Sequence, residues 1–317
     1  MSTVGLAGIL GSLFSATMLA QTLRMAVPYI GAGLGGVWSE RSGVVNIALE
    51  GTLLAGGLGG VVVHIGTGSA WAGAAAGALV GALVGALHAL VVVRGRIDAI
   101  VSGIAINLAA AGATRFVLRG LYDSSSNSPP VTGFRLLAGG GASGGALLVR
   151  TCLDPLALTT AALVIGTAWA LGQTRFGLRV RASGEDPAAA ASLGIEVDRV
   201  RFAAVILGGA ICGLGGVALA YDQHQFQSGM SGGRGFIALA AVILSGWRAG
   251  RMALGCLAFA ALDAAQIVVQ DQARSAGYLA QMLPYVATLA ALWVIARRRG
   301  EGAIEGRPPA GLGKPAE

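Results

Sequence analysis

The sequence predicts an all-α protein, a polytopic bundle of transmembrane helices. Hydrophobic residues make up 55% of the 317 residues and charged residues only 12%, whereas soluble domains carry about 25% charged residues. Several apolar runs are long enough for the ~20 residues of helix that cross a bilayer core. The sequence lacks the alternating polar and apolar pattern of a transmembrane barrel. Most of the chain is therefore expected to lie in lipid.

The apolar runs divide the chain into about ten segments, with eight as the lower bound. The segments are residues 5–23, 25–38, 49–65, 71–93, 97–118, 154–171, 202–220, 235–246, 252–270 and 278–296. Arg24 separates the first two, and the alternative is one kinked span over residues 5–38.

Arginines set the predicted orientation. They cluster in connections that all fall on one side of the ten-segment bundle, namely residues 94–96, 174–201, 248–251 and 297–299. Connections rich in arginine face the cytoplasm, so both termini are predicted to be cytoplasmic. The net charge of +7 thus indicates membrane orientation, and it does not indicate a nucleic-acid partner.

The longest polar stretch in the middle of the chain is the loop 174–201, which carries five arginines and four acidic residues. Within it, residues 186–193 are predicted to form a short helix. Pro187 suits the first helical turn, and Gly184 and Gly194 suit the two ends. A polar helix between two membrane spans is a surface for a partner protein.

A second polar segment, residues 39–51 (SERSGVVNIALEG), places four polar side chains in or beside the membrane: Glu40, Arg41, Asn46 and Glu50. Such groups are costly in lipid, so they are expected to be paired or to line a cavity.

Glycine recurs at every fourth position in the run 71–93, at Gly73, Gly77, Gly81 and Gly85. This spacing places small residues on one helix face, where another helix can approach closely. We expect this packing to lie within one subunit, and a sliding contact is the alternative. His88 is predicted to be a hydrogen-bonded packing residue.

The domain prediction is a single transmembrane domain over residues 1–299, which includes the loop 174–201, followed by a disordered cytoplasmic tail over 300–317. Residues 119–150, rich in Ser and Gly, are predicted to be an external loop.

The sequence lacks several chemical motifs. It has no G-x-x-x-x-G-K-[ST] phosphate loop, no metal-ligand spacing and no nucleophile–base pattern. The three cysteines form no disulfide framework. A membrane protein without an energy-converting site, but with a polar helix on one face, suggests that another subunit supplies the energy.

Three stretches carry a resemblance to a known family. Residues 39–51 resemble the signature of ABC-importer permeases in the branched-chain amino acid and simple-sugar group, and are most similar to the nucleoside branch. RASGEDPA at 181–188, followed by Leu-Gly-Ile at 193–195, resembles the coupling loop of that group. GFIALA at 235–240 also fits, and the resemblance covers roughly residues 20–297. Gly246-Trp247-Arg248 matches no family pattern.

The resemblance implies a transport subunit of a prokaryotic cytoplasmic (inner) membrane that is not itself an enzyme. Its implied partners are a second permease subunit, often non-identical, a cytoplasmic ABC ATPase that binds ATP and Mg, and an external substrate-binding lipoprotein. No cofactor or metal is expected on this chain. The residues that would couple it to the ATPase are Gly184, Glu185, Asp186, Pro187, Ala188, Leu193 and Gly194.

A nucleoside path needs hydrogen-bonding groups without strong fixed charge. The candidates are Asn46, Asn107 and Gln266, with Glu50 as an acceptor for ribose hydroxyls or base amines. The alternative is that Asn46 and Glu50 brace the chain after Ser39, and bracing is the expected role of Glu40 and Arg41. Asp263 is expected to be paired structurally.

Other substrates and other classes of protein stay open at this point. Simple sugars and branched-chain amino acids are alternative substrates for an ABC permease. A self-powered secondary transporter is the alternative of another class, and it would need ion-coupling carboxylates near the membrane midplane.

Overall fold

The computed structural model describes residues 15–134, 144–272 and 307–313, and five isolated positions: Met282, Val286, Leu289, Ala290 and Trp293. Within these residues the secondary structure is helical apart from one isolated bridge between Asn127 and Gln227. The helices are α1 (Ala16–Arg41), α2 (Leu49–Thr67), α3 (Ala70–Ala89), α4 (Ala99–Tyr122), α5 (Gly144–Cys152), α6 (Pro155–Gln173), α7 (Arg175–Glu185), α8 (Pro187–Ser192), α9 (Val197–Asp222), α10 (Arg234–Leu244) and α11 (Ala249–Gln272). The predicted all-α class is confirmed.

Six of the described helices are long and apolar enough to cross a membrane: α2, α3 with the π-helical turn Leu90–Arg94 that extends it, α4, α6, α9 and α11. Helix α10 has only 11 residues, which span about 16 Å, so it is a half-length helix. The predicted segment 278–296 lies outside the described residues except for the isolated positions.

The predicted break at Arg24 is wrong. Helix α1 runs without interruption for 26 residues through both Arg24 and Pro28. Arg24 pairs with Asp222 of α9 at 2.5 Å, so its charge is compensated without ending the helix. The single-helix alternative therefore describes this part of the chain, and residues 5–14 lie outside the described residues.

Helix α1 lies at the centre of the main hydrophobic core. Its residues from Ala26 to Glu40 are buried without exception, and it packs against α9, α10 and α11. Tyr29 and Leu34 of α1 lie in this core with Leu49 and Leu53 of α2 and Met252 of α11. A helix buried on every face anchors the elements around it.

Helices α3 and α9 pack through glycines on both sides. A Cβ atom added to Gly81 would overlap the backbone of Gly209, and one added to Gly77 would overlap Val217. At Gly85 the added atom would lie 2.7 Å from the Val205 carbonyl oxygen. This is the close packing within one subunit that the four-residue spacing predicts, and it leaves no room for side chains.

The predicted loop 119–150 is partly helical. Helix α4 continues to Tyr122, and α5 begins at Gly144, so the loop prediction is wrong at both ends. The stretch between them pairs with the connection that follows α9. Val131 donates its backbone N–H to the His224 carbonyl at 2.7 Å, and Ser228 donates to that of Ser126 at 2.7 Å.

Residues 307–313 form a turn within the tail that the sequence predicts to be disordered. Leu312 donates its N–H to the Pro309 carbonyl at 3.0 Å, and its side chain packs on the main core. For these seven residues the structure therefore differs from the prediction, because Leu312 gives the segment an apolar anchor.

Candidate coupling and translocation site

Helices α7 and α8 meet at a corner that local sequence rules account for. Asp186 lies at this corner and accepts the Ala189 N–H at 3.0 Å, which caps α8, and Pro187 occupies the first turn of that helix. Gly194 follows the helix in the left-handed conformation with φ of 79°, which glycine adopts without strain. The predicted short helix over 186–193 is thus present, as α8. We call residues 183–194 the coupling corner.

One face of the coupling corner is open and the other is buried. Leu193 is 81% exposed, and the neighbouring Glu185, Asp186 and Ala188 are exposed too, whereas Ala190 is buried. The open face therefore combines one large exposed apolar side chain with two acidic residues.

The buried side of the corner lies on the residues that follow α1. A Cβ atom on Gly184 would overlap the carbonyl of Arg41, so only glycine permits this contact. Arg201 of α9 lies between the two segments, with only 4% of its surface exposed. It donates to the carbonyl of Ser42 at 3.1 Å and to that of Ser183 at 3.3 Å.

We call residues 39–51, which connect α1 to α2, the motif segment. Its first turn is closed by Ser42, which donates to the Ser39 carbonyl at 2.6 Å. Asn46 accepts the Ala48 N–H at 3.1 Å. His88 of α3 lies 3.1 Å from the Val45 carbonyl and 3.0 Å from the Ser102 hydroxyl. The segment is therefore held in one conformation from several sides.

The motif segment contacts both ends of the half-length helix α10. At the N-terminal end, Glu50 accepts the N–H groups of Gly233 at 2.8 Å and Gly235 at 2.7 Å. Unpaired N–H groups at a helix N-terminus favour a carboxylate. The side chain of Glu50 thus caps α10 from another part of the chain.

At the C-terminal end of α10, the turn at Gly246 and Trp247 is bound by Glu40 and Arg41. Trp247 donates its indole N–H to Glu40 at 2.5 Å, and Arg41 donates to the Trp247 carbonyl at 3.0 Å. Both turn residues have positive φ. Glu40 and Arg41 thus both bind the turn that follows α10, and bracing stays the role predicted for them.

Asn107 of α4 binds the backbone of the motif segment through both polar atoms of its amide. Its oxygen accepts the Gly51 N–H at 2.7 Å, and its nitrogen donates to the Ile47 carbonyl at 3.0 Å. Of the four path candidates, Asn46, Glu50 and Asn107 therefore each bind backbone groups around residues 46–51 or at the start of α10.

The fourth candidate, Gln266, lies elsewhere, at a polar cavity of about 290 Å³ between α1, α10 and α11. Tyr29 donates its hydroxyl to Asp263 at 2.7 Å, and Arg234 pairs with the same carboxylate oxygen at 3.5 Å. The Arg234 guanidinium also lies 5.9 Å from the centre of the Tyr29 ring. The buried Nε of Arg234 has no hydrogen-bond partner among the described residues.

Sequence reasoning missed four of these residues: Arg201, Trp247, Tyr29 and Arg234. It treated Arg201 only as one of the arginines that set the orientation, and it assigned no role to Arg234. The available signal was position, because Arg201 begins an apolar run and Arg234 lies next to one, and a charge in such a place needs a partner. Tyr29 and Trp247 carry no comparable local signal. The described residues hold no group of three His, Cys, Asp or Glu side chains that could bind a metal.

Comparison with known proteins decides the family. The model of the branched-chain amino acid transport system permease component matches residues 18–292, which is most of the chain. The chain belongs to this family. It is thus a multi-pass membrane permease of a prokaryotic ABC transporter and not itself an enzyme. The alternative class, a self-powered secondary transporter, is therefore set aside.

Three relatives illustrate the range of the family. The nucleoside ABC transporter permease protein NupC of Lactococcus lactis is 34% identical over 290 residues, 87% of this chain and 90% of the relative. The guanosine ABC transporter permease protein NupQ of Bacillus subtilis is 34% identical over 236 residues, 71% and 74% of the two chains. TsgC13 of Haloferax volcanii, whose name refers to a glucose ABC transporter permease, is 35% identical over 265 residues, 81% and 79%.

Proposed function

We propose that this permease belongs to an importer that carries a nucleoside across the cytoplasmic membrane. The names of NupC and NupQ support this substrate class. The similarity to TsgC13 supports a second candidate, a simple sugar. Both classes are small, neutral and rich in hydrogen-bonding groups.

The observation that carries the transport mechanism is the continuous set of contacts from the coupling corner to α10. The corner packs on the motif segment through Gly184 and Arg201. The motif segment in turn binds one end of α10 through Glu50 and the other through Glu40 and Arg41. A displacement of the corner would therefore move α10 as a rigid unit, the kind of motion that switches a transporter between two packings.

The proposed partners follow from the open face of the corner. A cytoplasmic ABC ATPase, with ATP and Mg bound on that partner, would contact Leu193 and the acids beside it. A second permease subunit and an external substrate-binding lipoprotein would complete the importer. In this arrangement the coupling corner and both termini face the cytoplasm, in accord with the arginines of the loop 174–201.

The proposed substrate contact lies at the polar cavity that Gln266 lines. The pairing of Arg234 with Asp263 cancels their charges, so the cavity suits a neutral solute better than an ion. Among the residues that line the cavity, Gln266 offers both a donor and an acceptor for hydroxyl groups and base edges. We assign Asn46, Glu50 and Asn107 to bracing, because their polar atoms bind backbone groups.

The test is transport by the assembled importer in proteoliposomes. We expect labelled guanosine to accumulate, and excess unlabelled nucleoside, but not glucose or leucine, to compete with it. Accumulation of glucose instead would favour the sugar candidate. Accumulation of leucine alone would contradict both.

A pair of variants tests the docking face. Leu193→Asp places a charge on the proposed ATPase contact, and we expect co-purification with the ATPase and uptake both to fall roughly tenfold or more. Leu153→Asp is the matched control, since Leu153 is also exposed, at 52%. Helix α6, about 28 Å long, and helix α7 lie between Leu153 and the corner in the chain. Equal effects of the two substitutions would contradict docking at the corner.

A further inference from the structure

Residues 307–313, the C-terminal turn, lie against the coupling corner and the motif segment at once. Gly311 donates its N–H to the Gly184 carbonyl at 2.8 Å, and Gly313 donates to the Gly43 carbonyl at 2.9 Å. Ala310 donates to the exposed carboxylate of Glu185 at 3.3 Å. Three hydrogen bonds thus connect one short turn to the two segments whose contact transmits motion in the proposed mechanism.

The fit of this turn is close enough to restrict its sequence. A Cβ atom on Gly311 would lie 2.8 Å from the Gly184 carbonyl oxygen and 2.9 Å from Cδ of Pro187. Gly313 has φ of 77°, a conformation that side chains disfavour. Leu312 lies between these glycines and packs on the main core. Apolar burial of one side chain and two backbone contacts therefore hold the turn in place.

The turn also extends the open face of the corner. Arg307, Pro308 and Ala310 are exposed, and the hydrogen bond from Ala310 places them beside Glu185. The surface offered to a partner therefore consists of α8, Leu193 and the C-terminal turn together.

We propose that the C-terminal turn is a second part of the ATPase-facing surface, and that it fastens the coupling corner to the motif segment. This inference rests on the proposed docking of an ATPase at the corner. Without the turn, Gly184 and Arg201 still connect the two segments, but the corner can tilt on Gly43. Part of the ATPase motion is then lost before it reaches α10.

The experiment compares two truncations in the assembled importer. A chain that ends after Gly306 lacks the turn, and a chain that ends after Gly313 retains it. In the shorter chain we expect the ratio of solute imported to ATP hydrolysed to fall by roughly two- to thirty-fold, the range for residues that modulate coupling. The chain that ends after Gly313 should have the same ratio as the full chain.

A point variant and its control test whether the shorter chain loses coupling because the contact is lost or because the protein misfolds. Gly311→Val collides with Gly184 and Pro187, and it should lower the same ratio while the complex still co-purifies. Gly166→Val is the matched control, because a Cβ atom added at Gly166 of α6 would meet no atom within 4 Å, and it should leave the ratio unchanged.

A cross-link tests the contact itself. In a Cys152→Ser background, cysteines introduced at Glu185 and Ala310 should be joined in membranes by a short bifunctional thiol reagent, because the Ala310 N–H reaches the end of the Glu185 side chain. Failure to cross-link, or full coupling in the chain that ends after Gly306, would overturn the inference. Failure of the full-length chain to associate with any ATPase would instead overturn the proposed function.

Discussion

The coupling corner with its motif segment, and the polar cavity around Arg234, differ in how fully their polar side chains are used. Around the motif segment, side chains such as Arg201 and Asn107 bind backbone groups. In the cavity, Tyr29 and Arg234 bind the Asp263 carboxylate, and Arg234 also donates to the Met230 carbonyl at 3.0 Å. One guanidinium nitrogen has no partner among the described residues, and the cavity holds about 290 Å³. The first pattern suits a part that transmits motion, and the second suits a part that binds and releases a solute.

This comparison makes distinct predictions for the two regions. Substitutions in the coupling corner, in the motif segment or at their contacts should lower both stability and coupling to the ATPase. Substitutions in the cavity should alter transport with little loss of stability.

The largest effect is expected from Arg201→Ala. The substitution leaves the carbonyls of Ser42 and Ser183 without this donor in a buried place, so we expect a loss of about 3 kcal/mol of unfolding free energy. Thermal denaturation in detergent would measure it. Arg199→Ala is the control, because Arg199 is exposed and pairs with Glu196 on the surface, and its loss should change stability by less than about 1 kcal/mol. If the two variants had the same melting temperature, Arg201 would contribute no more to stability than a surface arginine does.

A smaller loss of unfolding free energy is expected from Asn107→Ala. The Gly51 N–H and the Ile47 carbonyl each lose a partner where α2 begins, which should cost about 1–3 kcal/mol. Uptake should fall in proportion to the folded protein that remains. If the variant were fully stable but transport-defective, Asn107 would belong to the substrate path after all.

The smallest effect on stability is expected from Gln266→Ala. The side chain is partly buried and lines the cavity, so we expect the melting temperature to change little. The uptake efficiency should fall roughly two- to tenfold, because one hydrogen bond to the solute is lost. Leu254→Ala, on the exposed side of the same helix, should leave uptake unchanged. Unchanged uptake by Gln266→Ala would remove this residue from the path.

The sequence was informative where local rules apply. The short helix α8 could be predicted because its cap, its proline and its terminal glycine are neighbours in the chain. The glycine spacing of α3 likewise gave its packing face. The approximate positions of the long apolar helices followed from hydropathy, which needs no tertiary information.

Contacts between distant residues could not be predicted in this way. Glu50 and Gly233 are separated by 183 positions, and local rules do not show that a carboxylate on one helix caps another. The break predicted at Arg24 failed for the same reason, since its partner Asp222 lies on α9. Sequence alone does not separate bracing from a substrate path at Asn46, Glu50 and Asn107, because both roles use the same side chains.

The central claim is that this permease transmits motion received at its coupling corner and has no energy source of its own. The most direct measurement compares solute accumulation in proteoliposomes that contain the purified chain alone with accumulation in those that contain the complete importer, ATP and Mg²⁺. We expect concentrative uptake only from the complete importer, and its loss when residues 186–193 are deleted. Concentrative uptake by the chain alone, or ATP-driven uptake after that deletion, would contradict the account.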